Sequence, residues 1–188
     1  MSERKKDGKR TQAERREETR ETLLAAACHL FGQQGYASTS LEEIAESCDM
    51  TIRPIYYHFG SKLGLFTAVH GLMELQALEA LNSGSSVLAW EAFLKLCEDQ
   101  AFRRITLEDG PNILGRAHWS SSQHFPWSGA LARNDPGLQA AGHEQTEMCD
   151  RIARAAITEA AIAVIEHEHD ICAHCEAAGL ISRLLPTA

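Results

Sequence analysis

Residues 39–62 read TSLEEIAESCDMTIRPIYYHFGSK and contain two short helical patterns separated by a turn. Ser40 lies three residues before Glu43, which is the spacing of a capping box: the hydroxyl accepts from one free backbone N–H at the start of a helix, and the carboxylate accepts from another. This spacing predicts a helix over about residues 41–47. Asp49 fits the turn that follows, because Asp tolerates the left-handed backbone conformation better than most residues.

A third helix is predicted beyond the turn. Thr51 is placed to cap it, and Pro54 falls within its first turn, where a missing backbone N–H costs little. We expect this helix to end near Phe59. Ser61 is then expected to cap a longer helix that reaches about Leu81.

The segment before residue 39 also has a helical pattern. Apolar residues recur at three- and four-residue spacing from about Arg15 to Phe31, and Gly32 and Gly35 are expected to end this helix. A longer helix followed by two short helices with a tight turn between them is typical of a helix-turn-helix unit.

The rest of the chain is predicted to be helical as well, so the fold class is all-α. Aromatic residues make up 6% of the chain and β-branched residues do not alternate over a useful length, so strand patterns are nearly absent. The Ala-rich faces of the last two helices allow close approach, which fits either a four-helix dimer interface or ordinary packing within one chain. We expect a break at residues 82–86, helices at 87–107, 112–119, 143–166 and 170–185, a corner at Gly110 and Pro111, and no clear pattern at 120–142.

The charges divide unevenly along the chain. The formal net charge is −8, but residues 1–66 hold ten Lys and Arg against ten Asp and Glu, so the acidity belongs to the remainder. Eight of the basic residues lie between Arg4 and Arg20. They form either a flexible basic arm that neutralises phosphates or a solvated tail.

Several classes of protein are disfavoured by what the sequence lacks. It contains no run of about 18 apolar residues and no apolar N-terminus, so we expect a cytoplasmic protein without a membrane span or a secretory signal. The six cysteines are widely separated except for Cys172 and Cys175, which favours reduced thiols over a disulfide framework. No nucleophile and base pair, Gly-rich phosphate loop or suitably spaced pair of carboxylates is found, so we expect neither an enzyme nor a bound cofactor.

Two signatures accompany the helix-turn-helix pattern. They are Tyr56-x-His58-Phe59-x-Ser61-Lys62 and, before it, Leu30-Phe31-x-x-x-Gly35-Tyr36. Together they resemble the DNA-binding segment of the TetR family of repressors over about residues 16–70, and residues 102–111 resemble one C-terminal subgroup of that family. Asp49 stands where the family usually has Gly, and Pro54 lies one position inside the usual small residue of the recognition helix.

This resemblance implies an all-helical subunit, a homodimer joined by the two C-terminal helices, and a pocket for an unknown small-molecule effector in the C-terminal domain. We therefore expect a repressor that binds a palindromic double-stranded DNA operator and is released by that effector. The corresponding division of the chain is a basic, disordered arm at residues 1–14, a helix-turn-helix DNA-binding domain at 15–62, and a helical effector-binding and dimerisation domain at 63–188.

The resemblance also singles out residues for DNA binding. Arg53, in the N-terminal part of the recognition helix, is predicted to read bases, because a guanidinium can bond two acceptors on a guanine edge. Ile52 and Pro54 either contact a thymine methyl group or are simply exposed apolar residues. One of Tyr56 and Phe59 is expected to pack against the first helix. The residues that resemble the phosphate-contacting set of the family are Thr39, Ser40, Thr51, Tyr56, Tyr57, His58 and Lys62.

The effector pocket is predicted from aromatic and polar residues in the middle of the chain, which a mostly apolar cavity with a few orienting groups would use. Core packing would use many of the same residues. The candidates are Phe102, Asn112, His118, Trp119, His124, Phe125 and Trp127.

A second cluster suggests an alternative, a metal-responsive regulator. Residues 167–175 contain three His and two Cys, which are ligand types that zinc and softer metals prefer. The candidate ligands are His169, Cys172 and Cys175. Cys172 and Cys175 lack the loop geometry of a zinc knuckle, and the family resemblance places them near the dimer interface, so our principal prediction is that they are interface residues and that no metal binds.

Overall fold

The computed structural model describes residues 11–81, 86–115, 155–156, 158–166 and 179. Within these ranges every element is helical and no strand occurs, which confirms the all-α class. None of the helices in these ranges is long and apolar enough to cross a membrane. The elements are α1 (Gln12–Ser38), α2 (Leu41–Glu46), α3 (Arg53–Phe59), α4 (Lys62–Leu81), α5 (Ser86–Glu98), α6 (Gln100–Phe102), a π-helix (Arg103–Asp109) and α7 (Gly110–Ile113).

The first helix begins earlier and ends later than its apolar pattern predicts. Thr11 and Glu14 form a capping box, so α1 starts at Gln12 rather than near Arg15. The expectation that Gly32 ends the helix is wrong, because α1 continues through it. Gly35 does interrupt the helix with a φ of 80°, a conformation that favours glycine.

The role of Gly32 is close packing. A Cβ at this position would lie 2.3 Å from the Cβ of Ala101, so the absence of a side chain lets α1 meet α6 directly. Without that contact the long helix would stand farther from the elements that follow α5.

The start of α2 and the following turn agree with the sequence. The Glu43 N–H donates to Ser40 Oγ at 3.1 Å, and the Ser40 N–H donates to Glu43 Oε2 at 2.7 Å, so the capping box is confirmed. Asp49 has a φ of 54°, as expected of the left-handed residue in the turn.

The predicted cap of α3 is wrong. The residue that precedes the helix is Ile52 rather than Thr51, and no side chain caps it. Pro54 lies in the first turn, so one of the backbone donors that would need a cap is missing there. At the next helix the prediction holds, because the Gly64 N–H donates to Ser61 Oγ at 3.0 Å.

The region from α5 to α7 differs from its predicted form. Asp99 ends the predicted helix over 87–107, because its backbone is extended and its carboxylate accepts from the Ala101 and Phe102 N–H groups at 2.7 and 2.9 Å. The corner at Gly110 and Pro111 is also wrong: both residues lie in α7, which continues directly from the π-helix. The helix predicted over 112–119 overlaps the end of α7 at Ile113; Gly115 has a φ of 77°, and residues 116–119 lie outside the described residues.

A single apolar core underlies the first four helices. The rings of Phe31 and Phe66 meet edge to face with centroids 5.3 Å apart, and Tyr36 packs against Phe66 at 5.0 Å. Because the side chains of α1 and α4 fill this core, α2 and α3 are held on its surface. The fully buried core residues of α1 to α4 include Leu23, Ala27, Phe31, Ile44, Ile55, Leu65, Phe66 and Val69.

The π-helix is attached to the C-terminal end of α1. The Tyr36 N–H donates to Asp109 Oδ2 at 2.7 Å, and the Arg104 guanidinium donates to the Gln33 carbonyl. These bonds lie on either side of Gly35, so the π-helix holds the interrupted part of α1. Residues 158–166 are helical within the helix predicted over 143–166, whereas 120–142 and 170–178 lie outside the described residues.

Candidate nucleic-acid interface

Helix α3 buries one face and presents the other outward. Ile55 is fully buried in the core, whereas Arg53, Tyr56 and Tyr57 on the same helix are exposed, Tyr57 to 66%. A short helix held from beneath by an apolar anchor is the arrangement that a helix-turn-helix needs to enter a DNA groove.

The other residues around α3 that are predicted to contact DNA differ in their exposure. Thr51 is exposed, while Pro54, His58, Lys62 and Ser40 are half-buried. All of these residues keep part of their surface accessible to a ligand on the outer face.

Two of the predicted residues are directed inward. Thr39 is 2% exposed, and its hydroxyl donates to the Gly35 carbonyl at 2.8 Å. Its side chain therefore serves the end of α1 and is unavailable to a phosphate. Ile52 is half-buried and packs against the core, so it is not simply an exposed apolar residue, and its contact with a thymine methyl group stays a prediction.

The alternative between Tyr56 and Phe59 is settled by their exposure. Phe59 is half-buried against the core, and Tyr56 is 53% exposed. Phe59 is therefore the residue that packs inward, which leaves the Tyr56 hydroxyl on the outer surface.

Polar contacts fix the residues at the starts of α2 and α4. The Ser40 hydroxyl donates to Glu43 Oε2 at 2.8 Å. Hydrogen bonds from the backbone and side chain of Ser40, with a smaller effect from the charge of Lys62, lower the pKa of Glu43. The Lys62 ammonium lies 4.4 Å from the centroid of the Tyr36 ring, a cation–π contact that orients it at the start of α4.

Helix α1 contributes residues that are not among the DNA-contacting residues predicted from the family resemblance. Arg15, Arg16 and Thr19 line one side of a cleft of about 460 Å³ whose other side is formed by residues of α3 and the turn before it, including Arg53 and Tyr57. In the sequence Arg15 and Arg16 both lie at the predicted start of the first helix and belong to the basic residues that form either a phosphate-neutralising arm or a solvated tail. The Thr11-x-x-Glu14 capping box is the sequence signal that places them on a helix.

The effector-pocket candidates within the described residues contact their own chain. Phe102 is buried and meets Phe93 edge to face at 6.2 Å, so it is a core residue. Asn112 is exposed, and its amide donates to the Glu108 carbonyl at 2.7 Å. The other candidates, His118, Trp119, His124, Phe125 and Trp127, lie outside the described residues.

The candidate metal ligands His169, Cys172 and Cys175 also lie outside the described residues. Within the described ranges, no group of three or more His, Cys, Asp or Glu is arranged to hold a metal ion. The structure therefore leaves the metal-responsive alternative as a prediction of the sequence.

Comparison with known families covers both halves of the chain. Residues 23–69 match the family described as bacterial regulatory proteins, tetR family. Residues 85–187, more than half of the chain, match the family described as tetracyclin repressor-like, C-terminal domain.

Individual relatives match mainly at the N-terminus. The transcriptional regulator AcrR of Shigella flexneri is 47% identical over 58 residues, and the transcriptional repressor NicS of Pseudomonas putida is 38% identical over 57 residues. These matches cover 31% and 30% of this chain but only 27% of each relative. The crystal structure of a TetR-family regulator from Shewanella sp. PV-4 covers 90% of this chain and 99% of its own, with a TM-score of 0.67 and 15% identity, so the fold is shared along the chain.

Proposed function

Because the chain belongs to the TetR family of bacterial transcriptional regulators, we propose that it is a ligand-responsive repressor that binds a palindromic DNA operator as a homodimer. The observation that carries this proposal is the outward face of α3, with Arg53, Tyr56 and Tyr57 exposed over a buried Ile55. The matched proteins are regulators of transcription, not enzymes.

The roles of the exposed residues follow from their chemistry. Arg53 is proposed to bond the acceptors of a guanine edge in the major groove, since its guanidinium is exposed at the first position of α3. Lys62, at the start of α4, is proposed to hold a backbone phosphate. Ser40, Thr51, Tyr56, Tyr57 and His58 are proposed to complete the phosphate contacts, with Pro54 against a thymine methyl group.

We propose that dimerisation sets the distance between the two recognition helices and that the effector releases the DNA by changing that distance. Two recognition helices bind successive major grooves only when they lie about 34–36 Å apart or at a multiple of one turn. An effector that prefers a conformation with a different spacing would lower the affinity for the operator. The C-terminal domain is proposed to hold both the dimer interface and the effector pocket.

The test begins with selection of the preferred duplex from a random pool by the full-length protein, which we expect to return a palindrome. Arg53→Ala should then lower the affinity for that duplex by about 5- to 150-fold and relax the preference at one position of each half-site, as the loss of a bidentate base contact does. Lys95→Ala removes an exposed positive charge from α5 and should leave the affinity within about twofold, as expected of a charge outside the interface. A folded protein that binds no duplex at about 50 mM salt would refute the function.

A further inference from the structure

We propose that the cleft between α1 and α3 binds a phosphate of the DNA backbone, with Arg16 as the contact residue and the Tyr57 ring as the platform that holds its guanidinium. This inference rests on the proposed function. It extends the interface beyond the helix-turn-helix to the N-terminal turns of α1.

The charges that line the cleft favour an anion. Arg15 and Arg16 line it from α1 and Arg53 lines it from α3, so three arginines surround a cleft of about 460 Å³. The residues that line this cleft include no Asp or Glu. Because like charges repel and nothing acidic in the lining offsets them, an anion in the cleft is stabilised by all three.

The hydroxyl groups of the cleft suit a phosphate. Thr51 and Tyr57 place hydroxyl groups in the same lining as the arginines, whereas the Thr19 hydroxyl already donates to the Arg15 carbonyl at 2.8 Å. A guanidinium bonds two phosphate oxygens in parallel, and neighbouring hydroxyl groups donate to the oxygens that remain. The donor set therefore matches a phosphate group better than it matches a single carboxylate.

Tyr57 fixes the direction of Arg16. The Arg16 guanidinium carbon lies 5.6 Å from the centroid of the Tyr57 ring, within the range of a cation–π contact. The ring is 66% exposed, so its burial contributes little to the core. A second ring, that of His58, meets Tyr57 edge to face at 5.0 Å.

Arg20 provides a matched comparison on the same helix. Its guanidinium carbon lies 5.8 Å from the centroid of the Phe59 ring, a distance close to that in the Arg16 pair. Its Nη1 also lies 3.3 Å from Glu17 Oε1, so its charge is already paired. Arg16 makes no ion pair with any carboxylate of the described residues, which leaves its charge available to a ligand from outside.

We assign the cleft to the DNA backbone because Arg53 belongs to its lining. Arg53 is both the proposed base-reading residue and part of the cleft lining. A duplex that places a base edge against Arg53 also brings the flanking phosphates of the same groove towards α1, since phosphate contacts set the register for base contacts.

The test uses the full-length protein and the duplex recovered by selection. Arg16→Ala should weaken binding by about 5- to 10-fold and reduce the slope of log Kd against log salt by about 0.9, the change expected for one lost phosphate contact. Arg20→Ala is the control and should change neither quantity. Circular dichroism and thermal melting of both variants should match the wild type, because both side chains lie at the surface.

The contact is located with duplexes in which one phosphate at a time is replaced by a neutral methylphosphonate. At one position in each half-site, Arg16→Ala should cause no further loss of affinity, because the interaction is already absent. If every modified duplex shows the same loss with Arg16→Ala as the unmodified duplex, the assignment to a backbone phosphate is wrong.

The platform role of Tyr57 is tested by a double-mutant cycle. Arg16→Ala should cost as much affinity in the Tyr57→Phe background as in the wild type, because the ring is kept, and clearly less in the Tyr57→Ala background. Equal costs in all three backgrounds would overturn the platform role.

Saturable binding of inorganic phosphate to the DNA-free protein, lost in Arg16→Ala, would reassign the cleft to free phosphate. A wild-type protein that binds no duplex refutes the proposed function, whereas a wild type that binds while Arg16→Ala changes nothing refutes only this inference.

Discussion

Glu43 makes the start of α2 sensitive to pH. Its carboxylate accepts from the backbone N–H and the hydroxyl of Ser40, and these bonds lower its pKa in the folded protein. A carboxylate with a lowered pKa stabilises the fold above its unfolded pKa of about 4.3, and the contribution disappears as the pH falls through the folded value.

Glu43→Gln should therefore be less stable than the wild type near neutral pH, and the two should converge in acid. Gln can still accept from the Ser40 N–H, so the substitution removes mainly the charge. The free energy of unfolding from urea titrations, measured between about pH 6 and about pH 3, should show the difference narrowing. Glu42→Gln changes an exposed carboxylate on the same turn outside the capping box and is the control. Parallel curves for wild type and Glu43→Gln would contradict the prediction.

Single residues also show where reasoning from the sequence reaches its limit. The caps at Ser40 and Ser61 and the left-handed turn at Asp49 were predicted correctly, because such features depend on atoms within a few positions of the residue. The cap predicted at Thr51 is wrong, and the bond of the Thr39 hydroxyl within its own chain was not predicted. The reason is that a threonine hydroxyl can serve a phosphate, a helix start or a neighbouring carbonyl. Only the path of the whole chain shows that the Thr39 hydroxyl meets the Gly35 carbonyl.

At the scale of elements, two adjacent carboxylates at the end of the π-helix have different roles. Asp109 accepts the Tyr36 N–H at 2.7 Å in a half-buried setting and so connects the π-helix to α1. Glu108 is 53% exposed and lies 3.7 Å from the Arg104 guanidinium, as a surface ion pair does. Asp109 therefore connects two elements, whereas Glu108 makes only a local ion pair at the surface.

Asp109→Ala should lower the free energy of unfolding by about 1–3 kcal/mol, because it leaves the Tyr36 N–H without its acceptor. Glu108→Ala should cost no more than about 1 kcal/mol, the usual limit for an exposed ion pair. Urea titrations of the two variants and the wild type give both values. If the neighbouring substitutions cost the same, the bond to Tyr36 does not hold the elements together.

Elements whose boundaries depend on local signals were predicted better than those set by packing. The pattern from Leu41 to Phe59 gave both short helices, since caps and apolar anchors are close in sequence. The apolar pattern continues across Asp99, where α5 has ended and α6 begins. Gly110 and Pro111, usually a sign of a turn, lie in a helix. The π-helix there packs against α1 and α4, and periodicity within the segment does not contain those contacts.

At the scale of the molecule, the charges and the outward helix orient the approach of DNA. Residues 1–66 balance ten basic against ten acidic residues, whereas residues 67–188 hold eight against sixteen. A duplex is therefore repelled by the larger part of the chain and drawn towards Arg15, Arg16 and Arg53. The family assignment came from two signatures within residues 30–62, while the effector pocket could not be located, because its candidates are spread over a segment with no periodic pattern.

The spacing of the operator half-sites depends on how two copies of the protein assemble. If two copies are joined so that their α3 helices fit successive grooves, the selected operator should have half-sites about 10–10.5 base pairs apart or at a multiple of that spacing, and two chains should bind per operator. Inserting about five base pairs between the half-sites turns one of them to the opposite side of the duplex, so a dimer can engage only one at a time and its affinity should fall by at least about 100-fold. Inserting the same five base pairs outside the palindrome is the control and should change nothing. Sedimentation of the free protein should show a dimer at micromolar concentration. A monomer that binds each half-site independently would tolerate the central insertion, and in that case regulation through the distance between two recognition helices would have no physical basis in this protein.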